Sequence, residues 1–266
     1  MSSAIAGKFA ELKARSQKAF IPFITAGDPD LDTTVRLVLE LERAGSHIVE
    51  LGIPFSDPVA DGPVIQRSSE RALKHGYRLA DYLSAVKTIR GESGIPIVLF
   101  SYFNPILQYD LERLARDARS AGVDGVLVTD MTPEEGEEYC VCLERHELDP
   151  IFLVAPTSDD RRVETIARCS RGFIYLISRT GITGERENLS DSIAPTLERV
   201  RKHSDLPVAV GFGISRPEHV REVWKIADGA VVGSAIVAQI EKQGPSKELP
   251  ASIGTFCRWL TGAGDR

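Results

Sequence analysis

Short apolar runs rich in β-branched and aromatic residues recur along the chain, at Phe20–Thr25, Ile48–Leu51, Ile97–Ser101, Val126–Thr129, Ile151–Val154, Phe173–Ile177, Val208–Gly211 and Ala230–Val232. Each has the length and composition of a strand. Their positions are nearly all apolar rather than alternating, the mark of strands covered on both faces. The segments between them repeat apolar residues at helical spacing, for example Leu79, Tyr82, Leu83 and Val86, or Leu111, Leu114, Ala115 and Ala118. Such a stripe is the buried face of a helix lying on a sheet. Strands alternating with helices imply right-handed parallel crossovers.

Eight such units predict a closed (β/α)8 TIM barrel, because an open doubly wound sheet has roughly five or six strands and often a GxGxxG turn after the first. After its first strand this chain reads AGDP instead. No Pro-, Ser- or Gly-rich linker divides it, so a single domain is expected over 1–266, with additions. The first addition is an N-terminal helix within 1–18 carrying Ile5, Phe9 and Leu12 on one face, ahead of a barrel over 19–242. A second helix is expected after strand 2, since Ile53–Arg90 is too long for one crossover. A C-terminal helix and tail fill 243–266, with Ile253, Phe256, Cys257 and Leu260 facing inward.

Composition narrows the ligand class. With 32 basic against 38 acidic residues, a net charge of −6 and no basic block, the chain lacks the clustered Lys and Arg that nucleic acid or anionic membranes require. Mean hydropathy is −0.10, and no stretch approaches the ~18 apolar residues of a membrane span. Lys8, Glu11 and Lys13 interrupt the place where a signal peptide needs its apolar run, so a cytoplasmic protein starting at Met1 is expected. Cys140 and Cys142 form one C-x-C, Cys169 and Cys257 stand apart, and the five His are scattered. That spacing suits reduced thiols and predicts no metal site.

In a barrel of this type the chemistry sits on the loops after the strands. The loop after strand 2, VELGIPFSDPVADGP (49–63), places Glu50 inside an apolar strand and Asp57 and Asp61 in a turn stiffened by Pro54, Pro58 and Pro63. Burial would raise the pKa of Glu50 toward the range of a general acid/base; facing outward or pairing with an Arg would make it structural. Asp57 and Asp61 read first as turn residues, since Asp before Pro or Gly is ordinary turn chemistry, and only second as functional ones. The other unusual feature is a series of glycines and hydroxyls after strands 6, 7 and 8: RTGITG (179–184), GFGIS (211–215) and GSAI (233–236). Glycines let backbone N–H groups approach an anion, and Ser234 opens a helix, so a phosphate-bearing ligand is expected. The segment 180–190 is polar and carries Gly181 and Gly184, which suits a closing lid or an ordinary surface loop.

At these residues the chain resembles the tryptophan synthase alpha subunit family, from about Phe9 to Ile240. The likeness is carried by PFITAGDP (22–29), ELGIPFSDPVADGPVIQ (50–66), YFNPI (102–106), GVDGVLVTD (122–130), APTSDDR (155–161), YLISRTGITG (175–184), GFGIS (211–215) and GSAIV (233–237). The resemblance implies a carbon–carbon lyase that cleaves indole-3-glycerol phosphate to indole and glyceraldehyde 3-phosphate by a retro-aldol step. It assigns catalysis to Glu50 and Asp61, with Tyr175 beside the reacting hydroxyl. Phe23, Phe100, Leu127 and Phe212 fall at positions around the indole, Thr183 at one that reaches Asp61, and Gly184, Gly213, Gly233 and Ser234 at phosphate donors. It implies no metal and no organic cofactor in this chain; pyridoxal phosphate belongs to the beta subunit, the partner expected in an α2β2 complex. Pro54, Asp57, Pro58 and Asn104 correspond to that interface. After strand 4 the chain departs from the family pattern, reading TDMTPEE (129–135). A different phosphate-binding barrel, such as indole-3-glycerol phosphate synthase or a phosphoribosyl isomerase, is a second enzyme reading, weakened because no strand listed above carries a lysine for catalysis. A partner-activating subunit without catalysis and a stand-alone lyase remain as further readings.

Overall fold

The structure is a computed structural model that describes residues 3–177, 189–211 and 213–263, with the backbone alone for 189–192. Nine strands are present among them: β1 (Ala19–Thr25), β2 (Val49–Gly52), β3 (Ile97–Ser101), β4 (Gly125–Val128), β5 (Asp149–Ile151), β6 (Leu153–Val154), β7 (Ile174–Ile177), β8 (Val208–Gly211) and β9 (Gly229–Val232). Every pairing is parallel, in the order β5-β4-β3-β2-β1-β9-β8-β7-β6. The two ends of that order, β5 and β6, are separated by Phe152 alone, whose carbonyl accepts the Tyr175 N–H at 3.1 Å. The expected fifth strand is thus split in two, one half pairing to each side, and together they complete the eight-position TIM barrel.

Twelve helices are present among the described residues: α1 (Ala4–Ala14), α2 (Leu31–Arg43), α3 (Pro63–Leu73), α4 (Leu79–Arg90), α5 (Phe103–Tyr109), α6 (Leu111–Ala121), α7 (Glu137–Arg145), α8 (Asp160–Cys169), α9 (Leu189–His203), α10 (Pro217–Ile226), α11 (Ser234–Gln243) and α12 (Leu249–Thr261). The two helices after β2 are the expected α3 and α4. The short α5 is not legible from periodicity, and its start is held from another loop: Asp130 accepts the Phe103 N–H at 2.7 Å. The long helices carry their own end signals. In α2, the Asp30 carboxylate accepts the Thr33 N–H at 2.6 Å, and Arg43 lies in the last turn, both favourable to the helix dipole. No described helix is long and apolar enough to cross a membrane.

Alternation within the strands divides the core in two. Val49, Leu51, Ile97 and Leu99 point outward beneath the helices, in one cluster with Leu37, Val38 and Leu41. Ile21, Ile48, Val98, Leu127, Ile151, Tyr175 and Val231 point into the barrel. The interior cluster also takes in Ile5, Phe9 and Leu12 of α1, and the Ser3 hydroxyl at the start of that helix donates to Asp149 at 2.6 Å. With α1 packed into the interior from the strands' N-terminal side, the open end is the one bearing the loops after the strands.

Candidate active site

Glu50 lies in β2, in register with Phe23 of β1 and Val98 of β3. Because Val49 and Leu51 take the outer face, the two-residue period turns Glu50 inward with Ile48. It is fully buried, and neither carboxylate oxygen has a hydrogen-bond partner. The outward or Arg-paired alternative therefore falls away. An unpaired carboxyl in such surroundings keeps its proton, since burial penalises the charged form; desolvation raises its pKa to about 8.

The loop after β2 brings Asp61 over the same cavity. It is fastened by the Asp61 N–H to the Pro58 carbonyl at 3.0 Å, by Gln66 Nε2 to the Asp61 carbonyl at 2.9 Å, and by the Ala60 N–H to the Tyr102 hydroxyl at 2.9 Å. Partial burial lifts the Asp61 pKa to about 6, while a hydrogen bond from Tyr102 acts in the opposite direction. Tyr102 was not singled out from the sequence, although it opens the YFNPI segment at the end of β3. Its ring also lies 5.2 Å from that of Phe55, centroid to centroid, so it supports the loop from below.

Glu50, Asp61 and Tyr175 line one cavity of about 420 Å³ together with Phe23, Phe100, Gly213, Gly233 and Ser234. Phe23 and Phe100 meet edge to face at 5.2 Å and make an aromatic wall. Two glycines leave room for the lining side chains: a Cβ at Gly52 would run into the Phe23 ring, and one at Gly211 would collide with the Tyr175 hydroxyl. Tyr175 is buried, which with the nearby Glu50 and Asp61 carboxyls holds its hydroxyl protonated. At the other side Gly213 has φ +76°, and Ser234 begins α11, whose first internal bonds run from the Ile236 and Val237 N–H groups to the Gly233 carbonyl. The preceding N–H groups belong to the set a helix leaves for a ligand or solvent. Ile65, Ile214 and Val231 add apolar lining; none of them was singled out as a site residue from the sequence.

Leu127 does not line the cavity; it sits in the barrel interior with Val98 and Ile151. Thr183, Gly184 and Phe212, and the proposed lid over 180–190 up to residue 188, lie outside the described residues. Of the residues expected at a partner interface, Asp57 and Asn104 are exposed, Pro58 is half-buried and Pro54 is buried. Two apolar side chains beside them, Val59 at 86% and Leu107 at 61% exposure, were missed because a single apolar residue in a polar turn carries no periodic signal. Away from the cavity, Glu112, Cys142 and His146 bring potential ligand atoms within 4.8 Å of one another. The Glu112 carboxylate is already engaged there by Arg145 at 2.5 Å and His146 at 2.7 Å, an ion-pair cluster between α6 and α7.

The sequence matches the tryptophan synthase alpha chain family over residues 9–255. It is 53% identical over 249 residues to the tryptophan synthase alpha chain of Solibacter usitatus, covering 94% of this chain and 93% of that one. The fold superposes on tryptophan synthase subunit alpha from Legionella pneumophila with a TM-score of 0.90 at 35% identity, covering 100% and 99% of the two chains. A chain of the tryptophan synthase α2β2 complex from Pyrococcus furiosus is similar with a TM-score of 0.86 at 39% identity, covering 92% and 98%. With the barrel, the buried carboxyl and near-complete coverage in agreement, the chain belongs to the tryptophan synthase alpha chain family.

Proposed function

We propose that the cavity binds indole-3-glycerol phosphate with its indole against Phe23 and Phe100, its phosphate at Gly213, Gly233 and Ser234, and the bond to be cleaved beside Glu50. The protonated Glu50 carboxyl donates its proton to indole C3, which makes the ring an electron sink. The resulting carboxylate then takes the proton of the hydroxyl on the adjacent glycerol carbon. The C–C bond breaks, its electron pair returns to the indole ring, and the aldehyde of glyceraldehyde 3-phosphate leaves with Glu50 protonated again. Asp61, as an anion, accepts a hydrogen bond from the indole N–H and stabilises the positive charge that develops there. Tyr175 holds the reacting hydroxyl. These groups move every proton the cleavage requires, so the step draws on no organic cofactor of this chain.

The observation that carries this reading is a fully buried, unpartnered Glu50 carboxyl facing an aromatic-walled cavity. An acid so placed costs folding energy, and strongly perturbed groups in a cleft of this kind cluster at catalytic sites. The partner is a tryptophan synthase beta subunit, received on the surface around Asp57, Val59, Asn104 and Leu107, where exposed apolar side chains adjoin the loop bearing Asp61. Indole release from indole-3-glycerol phosphate, measured on the purified chain with and without beta subunit, tests both claims. Slow release alone and much faster release with the partner is expected. No indole in either case, from a folded chain, would overturn the assignment, and full speed without the partner would mark a stand-alone lyase.

Two substitutions probe separate parts of the cavity. Ser234→Ala removes one donor to the phosphate, and the loss of a charge-assisted hydrogen bond is expected to raise KM roughly tenfold with kcat little changed. An unmoved KM would place the phosphate elsewhere. Tyr102→Phe removes the hydroxyl that lowers the Asp61 pKa, so the acidic limb of kcat/KM is expected to move to higher pH. A stationary limb would show that Tyr102 supports the loop alone.

A further inference from the structure

Two helices begin at this cavity. Gly62 and Pro63 open α3 directly after Asp61, and Gly233 and Ser234 open α11. Further along both helices, and not lining the cavity, an ion-pair cluster joins them. Arg67 donates through Nε and Nη2 to the two oxygens of Glu241, each at 2.7 Å. Arg71 donates through Nη1 to Glu241 at 2.7 Å, and through Nε and Nη2 to the two oxygens of Asp28 at 2.9 and 2.7 Å. Asp28 follows β1 and its side chain is only 3% exposed. One guanidinium thus ties α3, α11 and the end of β1 together, and the Thr25 and Ser68 hydroxyls, 2.6 Å apart, join β1 to α3 a second time.

Several other ion pairs among the described residues are of a different kind. Lys8–Glu11 and Arg221–Glu218 link neighbours on one helix at the surface, where such pairs contribute little. Arg71 instead makes two contacts to a buried carboxylate and a third to another helix, and a planar guanidinium held at several points fixes direction as well as distance. Removing it would leave the Asp28 charge buried without its counter-ion.

We infer that Arg71, Glu241 and Asp28 form a positioning cluster that sets the start of α3, with Asp61, at a fixed separation from the start of α11, with Gly233 and Ser234. The inference rests on the roles proposed above for Asp61 and Ser234. On that reading the indole end of the substrate is met by the loop entering α3 and the phosphate end by α11. A ligand carrying one end needs one helix start in place. A ligand carrying both ends needs the two in register, and its extra affinity is the gain from joining two binding events in one molecule. Loosening the cluster should therefore cost the two-ended ligand alone.

The test compares wild type with Glu241→Gln, which keeps the side chain's size and removes the charge that Arg67 and Arg71 share. Calorimetric titration is carried out with indole, with glycerol 3-phosphate, and with a non-cleavable analogue in which three carbons join indole to phosphate. The expected result is a Kd for the analogue raised roughly tenfold, a matching fall in kcat/KM, and unchanged affinity for the two fragments. Arg67→Gln, which spares the Arg71–Asp28 contact, should move the analogue's Kd the same way by less, and serves if the first variant folds poorly. Unchanged affinity for the analogue, in a variant of a protein whose wild type is active, would overturn the cluster's role alone. Equal weakening of all three ligands would also overturn it, as general damage to the site. A wild type that binds neither fragment would overturn the site assignment and the cluster's role with it.

Discussion

Glu50→Gln is expected to lower kcat for indole-3-glycerol phosphate cleavage roughly 10³-fold, within the span that general acid/base groups contribute, while substrate binding persists. Gln has nearly the same shape but carries no exchangeable acidic proton, so the donation to C3 and the removal of the hydroxyl proton are lost together. Steady-state indole release measures the effect. Turnover within about tenfold of wild type would remove Glu50 as the proton carrier. The same substitution has a signature in stability. Below pH ~4.5 the carboxyl is neutral in both the folded and the unfolded chain. Between about 4.5 and about 8 the unfolded chain releases the proton while the folded chain retains it. Stability contributed by this group is therefore full at low pH, falls across that window, and levels off above it. The whole window is worth on the order of 5 kcal/mol. Urea midpoints followed against pH should show this decline in wild type and a flatter profile in Glu50→Gln.

Asp61→Asn is expected to lower kcat roughly 10²-fold, because an amide fills the same place without the negative charge that stabilises the developing indole cation. The pH profile separates charge from shape. The roles proposed for the two carboxyls require Asp61 ionised and Glu50 protonated, so kcat/KM in wild type should rise with pH through about 6 and fall through about 8. In Asp61→Asn the acidic limb should vanish and the alkaline limb stay. An acidic limb that survives the substitution would assign that titration to another group.

Both predictions depend on two carboxyls separated from water to different degrees. Glu50 is enclosed by the barrel interior and holds its proton at neutral pH; Asp61, on a loop that Tyr102 touches, loses its proton first. One residue is thereby ready to give a proton while the other is ready to hold a negative charge. The two are not hydrogen-bonded to each other, and the roles proposed for them, at different atoms of the same ring system, need no such bond.

Much of this was legible in the chain itself, because it depends on neighbours in sequence. The period of apolar residues set out strands and helices, and the acid in VELG (49–52) stood out against apolar strand positions. The glycines of GFGIS and GSAI (211–215 and 233–236) marked strand ends, and Gly213 and Gly233 among them line the cavity. Periodicity alone left Glu50 able to face either way. Closure of the barrel decided it, because Val49 and Leu51 are needed beneath the helices and the pleat then turns Glu50 inward. The division of the fifth strand at Phe152, the capping of α5 by Asp130, and the hold of Tyr102 on Asp61 join residues from different units. So does the cluster in which Arg71 meets Asp28 and Glu241, 43 and 170 residues away along the chain. A sequence pattern records which face of an element is apolar. Which polar side chains meet, and how far each is taken from water, depends on distances and dielectric surroundings that exist only once the elements have packed.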